Sequence, residues 1–216
     1  MLALKRLYPL VACSGIAVAV GAMVVGQLAP APHPDPLDLT IGEYAVLEGS
    51  GATELAMVSL AIASLALVAG LRAAKAPLGA TVERLMLVWS GALTVMALVP
   101  AGTPGTMPGL ADQTHGYASA VVFAALPVAG ALMVARLGED ERWKAVARPV
   151  EWLALVCGFG LVAVTYVVFP GDRMLIGLAE RALLAAEIAL VAVLAVRLAH
   201  LSRARGAARA SQAALG

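Results

Sequence analysis

Residues 178–200 read LAERALLAAEIALVAVLAVRLAH, and apolar side chains occupy every face that a helix of this stretch would present. A helix needs about 20 predominantly apolar residues to cross the roughly 30 Å of hydrocarbon in a bilayer. A helix at the surface of a soluble protein would instead show an apolar stripe opposite a polar face. The stretch therefore predicts a transmembrane helix.

Apolar runs of the same kind recur along the rest of the chain. The sequence is 61% hydrophobic and 13% charged, whereas soluble domains contain about 25% charged residues. The sequence therefore predicts an all-α integral membrane protein, built as a bundle of six transmembrane helices. These spans are expected at Leu7–Leu28, Thr53–Leu71, Leu85–Val99, Tyr117–Leu137, Val150–Phe169 and Leu178–His200.

The basic residues are distributed unequally between the two sides of these spans. Of the 15 Lys and Arg residues, Arg173 and Arg181 alone fall on one side. Because cytoplasmic loops carry the excess of Lys and Arg, we expect both chain termini in the cytoplasm and the protein in a plasma membrane. Trp89, Trp143 and Trp152 are expected in the aromatic belt at the membrane interface.

The chain divides into a membrane domain, residues 1–201, and a tail, residues 202–216. The tail is rich in Ala, Arg and Ser without lasting apolar periodicity, so we expect it to be flexible and cytoplasmic. In the first outer loop, Leu37, Ile41 and Tyr44 recur at near-helical spacing. This spacing predicts a short amphipathic helix on the outer surface.

Most of the chemically informative residues are expected at the outer ends of the spans. Because they share one depth, close to the headgroups of the outer leaflet, we predict that they surround a single polar pocket that opens outward. They are Asp38, Glu43, Glu54, Asp112, His115, Arg173, Glu180 and Arg181.

His115 follows Asp112 by three residues, a spacing that places both side chains on one helix face. A hydrogen bond between them would make His115 a general base. Alternatively, the two residues only terminate the fourth span and face water. The histidines and carboxylates show no recognised zinc spacing, so neither a metal nor another cofactor is predicted.

Arg181 stands beside Glu180 at the start of the last span. A guanidinium at this depth is expected to bind an anionic ligand, for which phosphate is the obvious candidate. The alternative is an ion pair with Glu54 or Glu43 that fastens two helices together.

Glu187 lies seven residues after Glu180, and a helix places it about 10 Å deeper. An ionised side chain at mid-span costs roughly 2.5–3.5 kcal/mol even on lenient insertion scales, so we expect Glu187 to face the bundle interior, protonated or hydrogen-bonded. It would either relay protons or join helices through Ser59, Thr94, Thr165 or Tyr166.

Several of these stretches resemble a known bacterial membrane family, catalogued as domain of unknown function 998. The similar segments are Asp35–Tyr44, Val99–Pro100, Thr114–Gly116 and Gly177–Arg181. The family's usual serine before the glutamate is Gly42 here, so this chain lacks a hydroxyl at that point. The resemblance implies a six-span bundle and no established activity.

The outward pocket favours binding of a lipid headgroup or another small amphiphile. Two alternatives remain: an intramembrane hydrolase, transferase or cyclase that uses His115, Asp112 and Arg181, and a small proton-coupled carrier or complex subunit that uses Glu187. No basic stripe suited to nucleic acid is present. The expected partner is the lipid bilayer, and the sequence indicates no particular oligomeric state.

Overall fold

The computed structural model describes residues 2–28, 37–49, 51–99, 101–102 and 109–215, and these residues form α-helices without a strand. Six helices are long and apolar enough to cross a membrane. This confirms the predicted all-α bundle of six transmembrane helices, to which one short helix is added. The helices are α1 Leu2–Leu28, α2 Ile41–Glu48, α3 Ala52–Ala73, α4 Ala80–Leu98, α5 Leu110–Glu139, α6 Lys144–Val168 and α7 Ile176–Leu215.

The six long helices form a closed ring in chain order. Each packs against the next long helix along the chain, and α7 returns to contact α1. Helix α7 also contacts α3 and α5 across the ring. One face of α7 is therefore directed into the bundle interior.

Small residues let the helices approach closely in this interior. Ala63, Ala129 and Ala195 are fully buried, and backbone approach over small side chains is typical of membrane bundles. The outer surface is apolar as well, since large side chains such as Leu10 and Phe159 are more than half exposed. A surface of this kind is suited to hydrocarbon rather than to water.

The two ends of the bundle differ in their connections. We define the long-loop end as the end with the α1–α3 segment, which includes α2, and the α4–α5 and α6–α7 segments. We define the short-loop end as the end with the α3–α4 connection, residues 74–79, and the α5–α6 connection, residues 140–143. Helix α1 begins, and α7 leaves the bundle, at the short-loop end.

The short predicted helix is present as α2, but it packs into the bundle. Ile41 and Tyr44 are 8% and 2% exposed, and α2 contacts α3 and α7. Its apolar face therefore covers the long-loop end of the bundle. Helix α7 continues to Leu215, so residues 202–215 are helical, and the flexibility of this tail stays a prediction.

Two of the three tryptophans contradict the predicted aromatic belt. Trp89 and Trp143 are fully buried, whereas Trp152 is 60% exposed. The prediction was wrong for Trp89 because helix order decides which side chains face inward. For Trp143 it was wrong because the short turn before α6 folds back onto the core.

Candidate functional site

Helix α2 begins at a capping box. The Thr40 hydroxyl accepts a hydrogen bond from the Glu43 N–H at 3.1 Å, and the Glu43 carboxylate accepts one from the Thr40 N–H at 2.9 Å. These bonds satisfy two main-chain donors that a helix start would otherwise leave unpaired. The helix ends at Glu48, and the φ of 63° at the capping residue Gly49 suits a residue without a Cβ.

Four consecutive residues at the start of α2 each contact a residue that the sequence had singled out. Residues 41, 42, 43 and 44 contact, in that order, Glu180, His115, Arg173 and Arg181. We call these eight residues the α2 cluster. The cluster brings together the α4–α5 side and the α6–α7 side of the long-loop end.

Glu180 joins α7 to the beginning of α2. Its Oε2 atom accepts a hydrogen bond from the Ile41 N–H at 2.8 Å, and the residue is 7% exposed. A carboxylate at a helix N-terminus meets both unpaired N–H groups and the positive end of the helix dipole. Asp38 makes a similar contact, because its Oδ1 atom accepts from the Leu175 N–H at 2.9 Å.

Arg181 lies over the ring of Tyr44, with its Cζ atom 5.2 Å from the ring centroid. Its Nε donates to Gln27 Oε1 at 3.1 Å and its Nη1 to the Leu39 carbonyl at 3.2 Å. The Tyr44 hydroxyl donates to the Gly26 carbonyl at 3.0 Å. Cation–π contact and hydrogen bonds thus hold Arg181 between the end of α1 and α2.

Glu43, one of the predicted partners of Arg181, binds Arg173 instead. Arg173 Nη2 lies 2.9 Å from Glu43 Oε1 and 3.0 Å from Oε2. Asp172, Arg173 and Leu175 all have positive φ, a conformation that non-glycine residues rarely adopt. Such strain persists where surrounding contacts hold it, and the contacts from Asp38 and Glu43 do so here.

His115 and Asp112 make hydrogen bonds to the α4–α5 connection. His115 is 6% exposed, and its Nδ1 donates to the Val99 carbonyl at 2.7 Å. Asp112 Oδ1 accepts from the Gly102 N–H at 2.9 Å. His115 Nε2 faces Gly42, where a Cβ would lie 2.6 Å away. The described bonds of this pair therefore position backbone, and the predicted base role stays a prediction.

Two carboxyl oxygens are buried without a hydrogen-bond partner among the described residues: Oε2 of Glu54 and Oε1 of Glu187. Glu54 lies in the first turn of α3, at the long-loop end. Glu187 is fully buried, and its Oε2 accepts from Trp89 Nε1 at 3.3 Å. Its described partner is thus the tryptophan of α4 rather than a hydroxyl side chain.

Two cavities among the described residues lie near the short-loop end. One, of about 460 Å³, is lined by Pro77, Gly79, Arg136, Glu139 and Asp140. The other, of about 400 Å³, lies between α6 and α7 beside Val193, Arg197 and His200. Neither contains a residue of the α2 cluster, so the outward pocket stays a prediction. Within the described ranges, no group of three or more His, Cys, Asp or Glu could hold a metal ion.

The sequence interpretation missed three residues that complete these contacts. They are Gln27, Tyr44 as the aromatic partner of Arg181, and Trp89 as the partner of Glu187. Gln27 is a polar residue at the end of the first apolar run, which was a usable signal. The role of Trp89 required the order of helices around the ring.

The family described as "Protein of unknown function (DUF998)" matches the chain over residues 11–197. No curated protein and no solved structure matches it. Because the match covers most of the sequence, the chain belongs to this family.

Proposed function

We propose that this family member binds the headgroup of a lipid or of another small amphiphile at its long-loop end. The α2 cluster is the observation that carries the proposal. It gathers carboxylates, two arginines, a histidine and a tyrosine where an apolar bundle ends. A ligand with an apolar part and a charged part matches a site where an apolar helix bundle meets a charged cluster.

Arg173 is the cation in the cluster that is best placed to meet a ligand. Its side chain is 53% exposed, and Glu43 occupies one nitrogen, Nη2. The guanidinium carries five N–H donors and suits carboxylate and phosphate oxygens. The strained turn that carries Arg173 also fits a binding site, since strained backbone concentrates at such sites.

The geometry favours binding over the enzymatic alternative. A general base must reach the proton that it removes, and a carboxylate commonly orients it. Asp112 and His115 instead bond to the backbone at Gly102 and Val99. The described bonds of this pair therefore hold the α4–α5 connection, and Asp112 does not orient His115 through them.

Lipid binding by the purified protein in detergent micelles tests the proposal. Short-chain phosphatidylglycerol and phosphatidylethanolamine serve as probes, and native mass spectrometry measures the bound fraction. We expect Arg173→Gln to weaken binding about tenfold or more, because hydrogen bonds to charged groups contribute about 1.5–3 kcal/mol.

Arg72→Gln is the matched control for this experiment. Arg72 pairs with Glu83, and the two side chains are 51% and 25% exposed, close to the 53% and 20% of the Arg173–Glu43 pair. Arg72 lies at the short-loop end, so its variant should bind like the wild type. Equal losses in both variants, or no binding of either lipid by the wild type, would contradict the proposal.

We also propose that the long-loop end faces the outside of the cell and that both termini lie in the cytoplasm. The support is the concentration of basic residues at the short-loop end. Leu110→Cys at the long-loop end should react with an impermeant thiol reagent added to intact cells. Glu141→Cys at the short-loop end should react only after the membrane is opened, and the reverse pattern would refute this orientation.

A further inference from the structure

Glu187 is a fully buried carboxyl near the middle of the transmembrane part of α7. Its described contacts are a single hydrogen bond from the Trp89 indole and electrostatic proximity to the Cys157 thiol on α6. Oε1 has no partner among the described residues. No Lys or Arg side chain appears among the buried residues that the structure describes.

An ionised carboxylate is costly in these surroundings. An isolated charge in a low-dielectric interior neutralises unless a counter-ion and further hydrogen bonds compensate it. One indole N–H at 3.3 Å is a weak form of compensation. A neutral carboxylic acid, by contrast, accepts the hydrogen bond from the indole N–H and carries no charge that needs a counter-ion. Its single O–H then needs one acceptor.

We infer that Glu187 is a proton-binding site inside the bundle that exchanges its proton with the aqueous phase at the long-loop end. This inference is independent of headgroup binding by the α2 cluster. The ligand of this site is a proton, and the site supplies the titrating group that proton-coupled movement of a second solute requires.

The distribution of polar groups along α7 assigns the direction of exchange. Towards the long-loop end, the next carboxyl is Glu180, seven residues or about 10 Å away. Two buried leucines, Leu183 and Leu184, lie on this interval. Towards the short-loop end, Leu190, Leu194 and Leu198 are at most 1% exposed, and the next charged residue is Arg197, 10 residues away. The shorter apolar interval therefore lies on the Glu180 side.

Apart from the Cys157 thiol beside Glu187, the other titratable groups near this route lie towards the long-loop end. Among the buried side chains described on α3 and α5, His115 is the titratable one, and it contacts Gly42. Glu43, Arg173 and Arg181 surround Glu180 through α2. Glu180 is thus the next carboxyl to Glu187 on this route, at a distance of about 10 Å along the helix.

Infrared spectroscopy of the full chain in phosphatidylcholine vesicles tests this inference directly, because a protonated carboxyl has its own C=O stretching band. At neutral pH the wild type should show a protonated-acid band that is absent in Glu187→Gln and retained in Glu180→Gln. In D₂O this band should shift to lower frequency as the proton exchanges, and Glu180→Gln should slow the shift.

Trp89→Phe provides a second readout that needs no change at Glu187. Loss of the indole donor should move the same band to higher frequency, because the carbonyl loses a hydrogen bond. The inference is overturned if wild type and Glu187→Gln have identical acid bands at neutral pH. It is equally overturned if Glu180→Gln exchanges this proton with D₂O as fast as the wild type does, whatever the α2 cluster binds.

Discussion

At the long-loop end, carboxylates accept hydrogen bonds from main-chain N–H groups, whereas at the short-loop end arginines donate to main-chain carbonyls. Glu180, Asp38 and Asp112 bind the N–H groups of residues 41, 175 and 102. Arg142 Nη2 donates to the Lys75 carbonyl at 3.2 Å, and Arg197 Nε donates to the Arg142 carbonyl at 2.8 Å. These five contacts use the sign of charge that dominates the loops of their own end. Arg181 at the long-loop end and Asp140 at the short-loop end bind the backbone with the opposite sign.

Burial distinguishes Glu180 from the arginines that bind backbone at the short-loop end. Glu180 is 7% exposed, whereas the Arg142 side chain is 43% exposed. When a buried acceptor is removed, its N–H partner stays unsatisfied, but water replaces an exposed donor. We therefore expect the Glu180 contact to contribute more to stability than the contacts of Arg142.

Glu180→Ala should have the largest effect. It leaves the Ile41 N–H without its acceptor, which lowers the free energy of unfolding by about 1–3 kcal/mol. Glu180→Gln retains an acceptor oxygen and should retain most of the stability. Denaturant titration in micelles compares the two, and equal losses would show that the charge, not the hydrogen bond, is what matters.

Gly42→Ala should have the next largest effect. Its methyl group would lie 2.6 Å from His115 Nε2 and 2.9 Å from the Ala101 Cβ. We expect a loss of about 1 kcal/mol, the lower end of the range for overpacking, because alanine favours the helix more than glycine does.

Gly116→Ala is the matched control for Gly42→Ala, because a methyl there meets nothing within 4 Å. It should be neutral or slightly stabilising in the same thermal unfolding assay. Adding His115→Ala to Gly42→Ala should restore part of the loss. If the single variants at residues 42 and 116 have the same thermal stability, the close contact with His115 does not determine the effect of Gly42→Ala.

The Arg173–Glu43 ion pair should contribute less to stability than the Glu180 hydrogen bond, although both lie at the long-loop end. Its side chains are 53% and 20% exposed, and exposed ion pairs couple by about 0.2–1 kcal/mol. A double-mutant cycle with Arg173→Gln and Glu43→Gln measures the coupling, which should fall as salt is added. A coupling that is independent of salt would place this pair among the buried contacts.

Substitution of Asp140 at the short-loop end should have the smallest effect on stability. This effect should be seen mainly in how stability depends on pH. Hydrogen bonds from Arg142 hold the pKa of Asp140 below its usual value. The pair therefore stabilises the fold above the unfolded pKa of about 3.9, and this contribution disappears as the pH falls through the lower folded value. Asp140→Asn should differ from wild type at neutral pH and converge with it in strong acid, as measured by unfolding at several pH values.

The sequence predicted the helices well because hydrocarbon imposes a length and a composition on every span. It placed Glu180, His115, Arg173 and Arg181 at one end for the same reason. Depth alone could not assign partners: Arg173 rather than Arg181 binds Glu43, and Trp89 rather than a hydroxyl binds Glu187. These pairings depend on how the helices are ordered and rotated around the ring, which a periodic apolar pattern leaves open.

The contact between Ile41 and Glu180 spans 139 residues, and this separation has a consequence for biosynthesis. At about 5–20 residues per second, a ribosome needs about 7 to 28 s to make the intervening chain. Until then the inserted helices form an open arc, because α7 closes the ring against α1. The nascent protein therefore presents an unsealed flank to chaperones and proteases until the last helix enters the membrane.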